Sequence, residues 1–198
     1  MTIIAGVDLA GVEKNRTGLA KIRIIDSDTS NIIASLVYKK AFTNSDILSF
    51  CSDASIVAID SPLTLPLNEN DMARELDKEM TKRGFRVFPA LFSGMKKLTF
   101  RAIELKEHLL SKGKKVIEVH PKSTLKKLGI THSEILRYLK IHPQNRISKD
   151  EMDAIVCALT GLAYFLGEVE TIEAEDGILY LPSSSFIEVI PMLQIVNY

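Results

Sequence analysis

Short apolar runs that end in a carboxylate recur along this chain, and they restrict its fold more than any other feature. Residues 55–60 (SIVAID) show no polar alternation, the pattern of a parallel strand covered on both faces. Residues 3–11 (IIAGVDLAG) are similar, with Asp8 at the end and Gly6 and Gly11 as punctuation. Lys115–Val119 (KVIEV) carries Glu118 just ahead of His120-Pro121. Residues 149–167 predict a helix that is apolar through Ala154, Ile155, Val156, Ala158, Leu159 and Leu162, with Asp150, Glu151 and Asp153 in its first turn. A carboxylate at the end of a buried strand is costly to desolvate unless something positive meets it. A lone Asp8 would read as a turn or helix cap. The recurrence argues against that reading.

The remaining elements follow from periodicity and punctuation. Residues 12–18 (VEKNRTG) predict a turn, 19–26 (LAKIRIID) an alternating half-buried strand, 27–31 (SDTSN) a second turn and 32–42 a third strand. Three strands on short turns form an antiparallel meander. Asn44-Ser45-Asp46 offers caps for a short helix over 47–51. An insertion spans about residues 63–95, with a helix expected over 70–83 and a loop over 84–92. Residues 96–112 place Leu98, Ala102, Leu105 and Leu109 on one helical face. Short amphipathic helices are expected over 123–128 and 133–139, and a loop over 141–148. Strands over 169–172 and 178–181 around Glu175-Asp176-Gly177 predict a hairpin. The tail, 186–198, is apolar enough for an edge strand or a contact surface.

A chain of 198 residues suits a single domain over 1–198. Lys+Arg and Asp+Glu each total 25, so no global charge marks a nucleic-acid or membrane binder. Cys51 and Cys157 sit in apolar runs and suggest small core residues in a reducing compartment, not a disulfide or zinc framework. No basic region precedes the first apolar run, and no run approaches the roughly 18 residues of a membrane span. A cytoplasmic protein that avoids membranes is expected.

The element order, three meandering strands and then parallel strands alternating with helices, is that of the ribonuclease H-like fold. Its mixed α/β sheet, in the order 3-2-1-4-5 and flanked by helices, would bring Asp8 and Asp60 together at the carboxyl edge, where open α/β sheets bind ligands. The last helix would add Asp150 and Asp153, three apart and so on one face, with Glu118 within reach. At an effective dielectric of about 20, two carboxylates roughly 5 Å apart repel by about 3 kcal/mol. Complementing a helix N-terminus stabilises by under about 1 kcal/mol and cannot offset that. Either the acids hold protons at raised pKa, or a hard divalent cation sits among Asp8, Asp60, Asp150 and Asp153. Oxygen ligands favour Mg²⁺ or Mn²⁺ over zinc. Such ions clamp the oxygens of an in-line phosphoryl displacement.

Taken in order, GVDLAG, AIDSPLTLP, the spacing Arg74…Asp77…Arg83-Gly84, VIEVHP, DEMDAIVCAL and EDGILYLP resemble a domain-of-unknown-function family (number 429) described as predicted nucleases of ribonuclease H-like fold. The resemblance runs from Ile3 to about Pro182. It implies a metal-dependent nuclease with catalytic acids at Asp8, Asp60, Glu118 and Asp153. The Asp150-x-x-Asp153 pair is also similar to the last-helix acids of Holliday-junction resolvases, which differ in carrying Glu where this chain has Asp60.

Other residues leave alternatives open. Lysines are dense over residues 96–127 and form either a phosphate-tracking face or a solvated helix surface. Arg74, Arg83 and Arg101 either hold substrate phosphate or pair with Asp71 and Asp77. His120 is either a general base or a hydrogen-bonded residue at a strand end. DNA or RNA is the expected partner class, and a homodimer is left open. A non-catalytic nucleic-acid or protein binding module is the competing reading. A small phosphotransferase ranks below both, since that class clasps its nucleotide between two such domains.

Overall fold

Ile3, Ala5 and Val7 pack into one apolar cluster and Ile4 into another on the opposite face, so β1 (Ile3–Asp8) is buried on both sides. The structure, a computed structural model, describes residues 2–27, 31–141 and 146–196. β2 (Thr17–Ser27) pairs antiparallel with β1 and with β3 (Ile32–Ala41), giving the expected meander. Residues 28–30 of its second turn and 142–145 of the loop expected over 141–148 lie outside the described residues. On the other side of β1 runs β4 (Ile56–Asp60), parallel to it, and then β5 (Lys115–Val119), parallel to β4. These five strands stand in the order 3-2-1-4-5.

Two further pieces lengthen the sheet. The hairpin of β6 (Val169–Ala174) and β7 (Gly177–Pro182) joins through β7 beside β5. The tail supplies an edge strand, β8 (Leu193–Ile195), parallel to β3. The full order is β6-β7-β5-β4-β1-β2-β3-β8.

Helices cover both faces. α1 (Asn44–Phe50) and α3 (Lys96–Ser111) lie over the face of Ile3, Ala5 and Val7. α4 (Pro121–Leu128), α5 (His132–Tyr138) and α6 (Lys149–Leu166) lie over the face of Ile4. α2 (Glu75–Lys82), from the insertion, forms a smaller cluster with the hairpin through Leu76, Met80, Ile172, Leu179 and Leu181. α7 (Phe186–Val189) leads into β8 through a 3-10 turn. Cys51 and Cys157 are free and buried. No helix among the described residues is long and apolar enough to cross a membrane.

Two helix starts differ from expectation. Thr43, not Asn44, caps α1: its hydroxyl accepts from the Asp46 amide, and the Asp46 carboxylate accepts from the Thr43 amide. α2 begins at Glu75, not at residue 70, because Asp176 of the hairpin turn accepts from the Glu75 and Leu76 amides. The cap lies a hundred residues away in sequence, so no local signal marks it.

Glycines place α6 against the sheet. A Cβ at Gly6 would collide with the Ala154 carbonyl and the Ala158 amide, and one at Gly18 with the Asp150 carbonyl. Helix backbone therefore rests directly on strand backbone at both positions. Because neither contact is with a flexible side-chain end, Gly6→Ala must displace the helix. Urea denaturation should show a loss of at least about 1–3 kcal/mol, the usual cost of overpacking. A variant as stable as wild type would show that the helix can retreat freely.

Candidate functional site

The parallel register of β1 and β4 pairs Asp8 directly with Asp60, on strands about 4.8 Å apart. Both acids share strand parity with residues of the α6 face, namely Ile4 on β1 and Ala58 on β4. Neither carboxylate has a hydrogen bond or ion pair with the rest of the protein among the described residues. Burial pushes the Asp8 pKa from 3.8 up to about 7, with Asp153 and then Asp150 adding repulsion. Asp60 is pushed well above the carboxylate range by burial, then by Asp8 and Asp153. The pair shares an unfavourable charge, so its protons belong to the pair and not to either residue.

Asp153 faces the same spot but is neutralised. Its carboxylate receives the His132 Nε2 at 2.8 Å and the Lys149 Nζ at 2.7 Å. Burial acts to raise its pKa, yet the hydrogen bonds from His132 and Lys149 outweigh this and hold it below the usual range. Asp150 is half-buried and borders an open depression on the far side of Asp8, together with Lys14 and Arg16. Neither His132 nor Lys149 drew notice in the sequence. Lys149 sits four residues before Asp153, a helical spacing that could have signalled the pair.

Glu118 lines the same cavity as Asp8, Asp60 and Asp153 but differs from them in strand parity and in its partners. β5 pairs Val119, not Glu118, with Asp60, so strand alternation sends Glu118 to the opposite face. There the Arg74 guanidinium grips it, with Nη1 and Nη2 donating to its two oxygens at 2.8 and 2.6 Å, and the Leu63 amide donates to it as well. Both of its oxygens are hydrogen-bonded, although it shares the single Arg74 charge with Asp77 and still adds to the repulsion on Asp60.

Of the expected phosphate-binding arginines, none presents a free guanidinium. Arg74 is 1 % exposed and also binds Asp77 and Thr64, which leaves no guanidinium nitrogen free. Burial opposes its charge, but Glu118 and then Asp77 hold it protonated above its usual range. Arg101 is buried and donates to Asn44 Oδ1 and to the Ala10 and Phe42 carbonyls. Arg83 is exposed and pairs with Glu79 along its own helix. The arginine pairing expected with Asp77 holds for Arg74, while Asp71 takes no part in it.

His120 does line the cavity, with Nδ1 2.7 Å from the Ser123 hydroxyl. Burial, then Lys122, drives its pKa down to about 4. A histidine of that pKa is neutral and a poor proton acceptor at neutral pH, which favours the strand-end role. Of the nine lysines of residues 96–127, four are tied to the protein by hydrogen bonds or ion pairs. Lys106, Lys114 and Lys126 donate to the Leu63, Ser52 and Gly84 carbonyls, and Lys127 pairs with Glu170. Lys122 is the member of that run that reaches the cavity beside the acids, and a continuous phosphate-tracking face is not supported.

The fit to a divalent cation rests on the Asp8–Asp60 pair. Mg²⁺ is commonly held by one or two carboxylates while keeping several waters, and two hard-oxygen donors carrying mutual repulsion meet that need. Among the described residues no three acid, histidine or cysteine side chains converge as a ready-made cage, because Asp153 is bound to His132 and Lys149.

Two outcomes follow. Arg74→Met would leave Glu118 and Asp77 buried and unpaired, and should lower stability by roughly 3–5 kcal/mol in denaturant melts. A loss below about 1 kcal/mol would show that the network adds little. For Asp8, the folded pKa of about 7 lies above the unfolded value near 3.9. The folded state therefore holds the extra proton between those values, and the resulting stability is complete below about pH 4 and lost as pH rises through 7. In chelator, wild type should lose more melting temperature between pH 5 and 8 than Asp8→Asn does. Parallel pH profiles would contradict the assignment.

No protein-family model matches the sequence, and no curated protein matches it. Among solved structures, Thermus thermophilus RuvC is similar at 13% identity, with a TM-score of 0.52, covering 84% of this chain and 97% of that one. T. thermophilus RuvC in complex with a Holliday junction substrate gives a TM-score of 0.56 at the same 13% identity, with the same 84% and 97% coverage. The chain has the ribonuclease H-like fold.

Proposed function

We propose that this chain is a nuclease that hydrolyses phosphodiester bonds with the help of Mg²⁺ or Mn²⁺. The observation that carries the reading is the in-register pair Asp8–Asp60, two half-buried carboxylates with no protein cation bonded to either among the described residues. Asp8 and Asp60 would hold the ion, with Asp150 and Asp153 on the adjoining helix end. When bound, the ion would polarise the phosphate and generate a nucleophilic hydroxide. The chain's own part is to position and to balance charge. Lys122 and Lys149 border the same cavity and can offset charge that develops on a phosphate. His132 and Lys149 keep Asp153 ionised and oriented. The Arg74–Glu118 pair fixes the cavity wall and needs no direct part in the reaction. The RuvC structure bound to a Holliday junction supports nucleic acid as the partner class.

Thermal melts with Mn²⁺ and with chelator test the reading. A cation at a hundredfold excess over its dissociation constant stabilises the folded state by about 2.7 kcal/mol, roughly 5–10 °C in Tm for a chain of this size. Wild type should show that rise. Asp8→Asn should lack it while melting as high as wild type, or higher, in chelator, because the repulsion is relieved. Asp60→Asn should abolish Mn²⁺-dependent cutting of labelled DNA and RNA. A wild type that neither shifts with Mn²⁺ nor cuts either polymer would leave the non-catalytic binding module as the better description.

A further inference from the structure

The cavity beside the acids is small. It encloses about 290 Å³, at the small end of ligand sites. Its lining brings the acids Asp8, Asp60, Asp77, Glu118 and Asp153 together with apolar walls from Leu9, Pro62, Met80, Val87, Met95 and Leu98. The insertion contributes Met80, Val87 and Met95, so the wall is an addition to the sheet and not part of it. At the lip stands Phe88, 64% exposed, stacked on Phe92 with ring centroids 5.9 Å apart and an interplanar angle of 16°. An aromatic face left open at a cavity mouth is a stacking platform. Two cations, Arg86 and Lys122, also line the cavity, and neither has a hydrogen bond or ion pair among the described residues. Beyond Asp8 the open depression adds Lys14 and Arg16 along the same edge.

Apolar slot, open aromatic face, free cations and phosphate-directed acids together describe one ligand chemistry. We infer that the cavity takes a single unstacked nucleotide of a nucleic-acid strand, its base in the slot against Phe88 and its phosphate at the Asp8–Asp60 edge. The neighbouring phosphates run one way past Arg86 and Lys122 and the other way towards Lys14 and Arg16. The inference rests on the phosphodiester reading for the position of the phosphate. The slot itself rests on the cavity walls. The insertion then selects for single strands, ends or flipped nucleotides, since a paired and stacked base cannot enter.

Binding is measured in Ca²⁺ and again in chelator, with a short single strand carrying 2-aminopurine, the matching blunt duplex, a fully abasic strand of equal length, and a 2-aminopurine mononucleotide. The single strand should bind at least about tenfold tighter than the duplex, with a change in 2-aminopurine fluorescence. Phe88→Ala, at an exposed position, should weaken the base-bearing strand about tenfold, within the range for loss of one stacked base, and leave the abasic strand unchanged. Equal affinity for single strand and duplex, or equal effects of Phe88→Ala on both strands, overturns the slot. A mononucleotide that binds as tightly as the strand replaces the strand with a free nucleotide. Separate assays with Mn²⁺ divide this inference from the nuclease reading. Base-dependent binding without cleavage keeps the slot and removes the nuclease. Duplex cut as readily as single strand keeps the nuclease and removes the slot.

Discussion

Helix α6 lies on β1 and β2 with no side chain between them at Gly6 and Gly18, and much of the molecule depends on that approach. Any Cβ at either position would press on helix backbone, which cannot swing aside as a side chain can. The contact therefore fixes the depth of the helix as well as its direction. The Asp150 carbonyl is itself the atom that Gly18 accommodates, so the acid-bearing first turn is held at the sheet edge where β1 and β4 end. Ser148 and Glu151 close a capping box at the same turn and satisfy amides that would otherwise face the acids. The glycines, the cap and the acids thus form one device for bringing negative charge to an apolar sheet.

The buried acids reach electrical balance by different routes. Glu118 and Asp77 share Arg74, a buried cation whose N–H groups all have acceptors, and this costs little as long as every partner stays in place. Asp153 is balanced more loosely by His132 and by Lys149, whose side chain is 67% exposed. Asp8 and Asp60 have no such bonded partner, and burial first, then the neighbouring carboxylates, push their pKa values up. Net repulsion persists in a fold only where surrounding packing imposes it, and such sites cluster where a ligand supplies the missing charge. A hydrogen-bonded acid and an unpartnered pair thus stand one residue apart along adjoining strands.

Much of the fold was legible because its signals are local. Non-alternating runs gave β1, β4 and β5, alternation gave β2, and the apolar stretch from Ala154 gave α6. The adjacency of Asp8 and Asp60 followed from topology alone. The face of Glu118 needed register to be read: in VIEV the acid lies one residue short of the position that pairs with Asp60, and alternation turns it to the other face, from which it still lines the cavity. A register read from the last residues of each strand would have shown this. The Arg74–Glu118 pairing and the cap from Asp176 had no sequence signal of that kind, because those partners lie tens to a hundred positions away, whereas the Arg74–Asp77 pair is only three residues apart. The exposed Arg86 and Phe88 sat in a stretch that gives no periodicity.

That stretch is where the molecule departs from a bare ribonuclease H-like sheet. The insertion has little core of its own, and Leu76 and Met80 must borrow apolar surface from β6 and β7. Its attachment is therefore electrostatic as much as hydrophobic. Asp176 receives the start of α2, and Arg74 pins the residue before it to β5. Asp77, caught between Arg74 and the Ala90 amide, ties that helix to the segment carrying Arg86 and Phe88. A wall held in this way is rigid where it meets the acids and exposed at its lip. Such a wall bounds the approach to the Asp8–Asp60 edge.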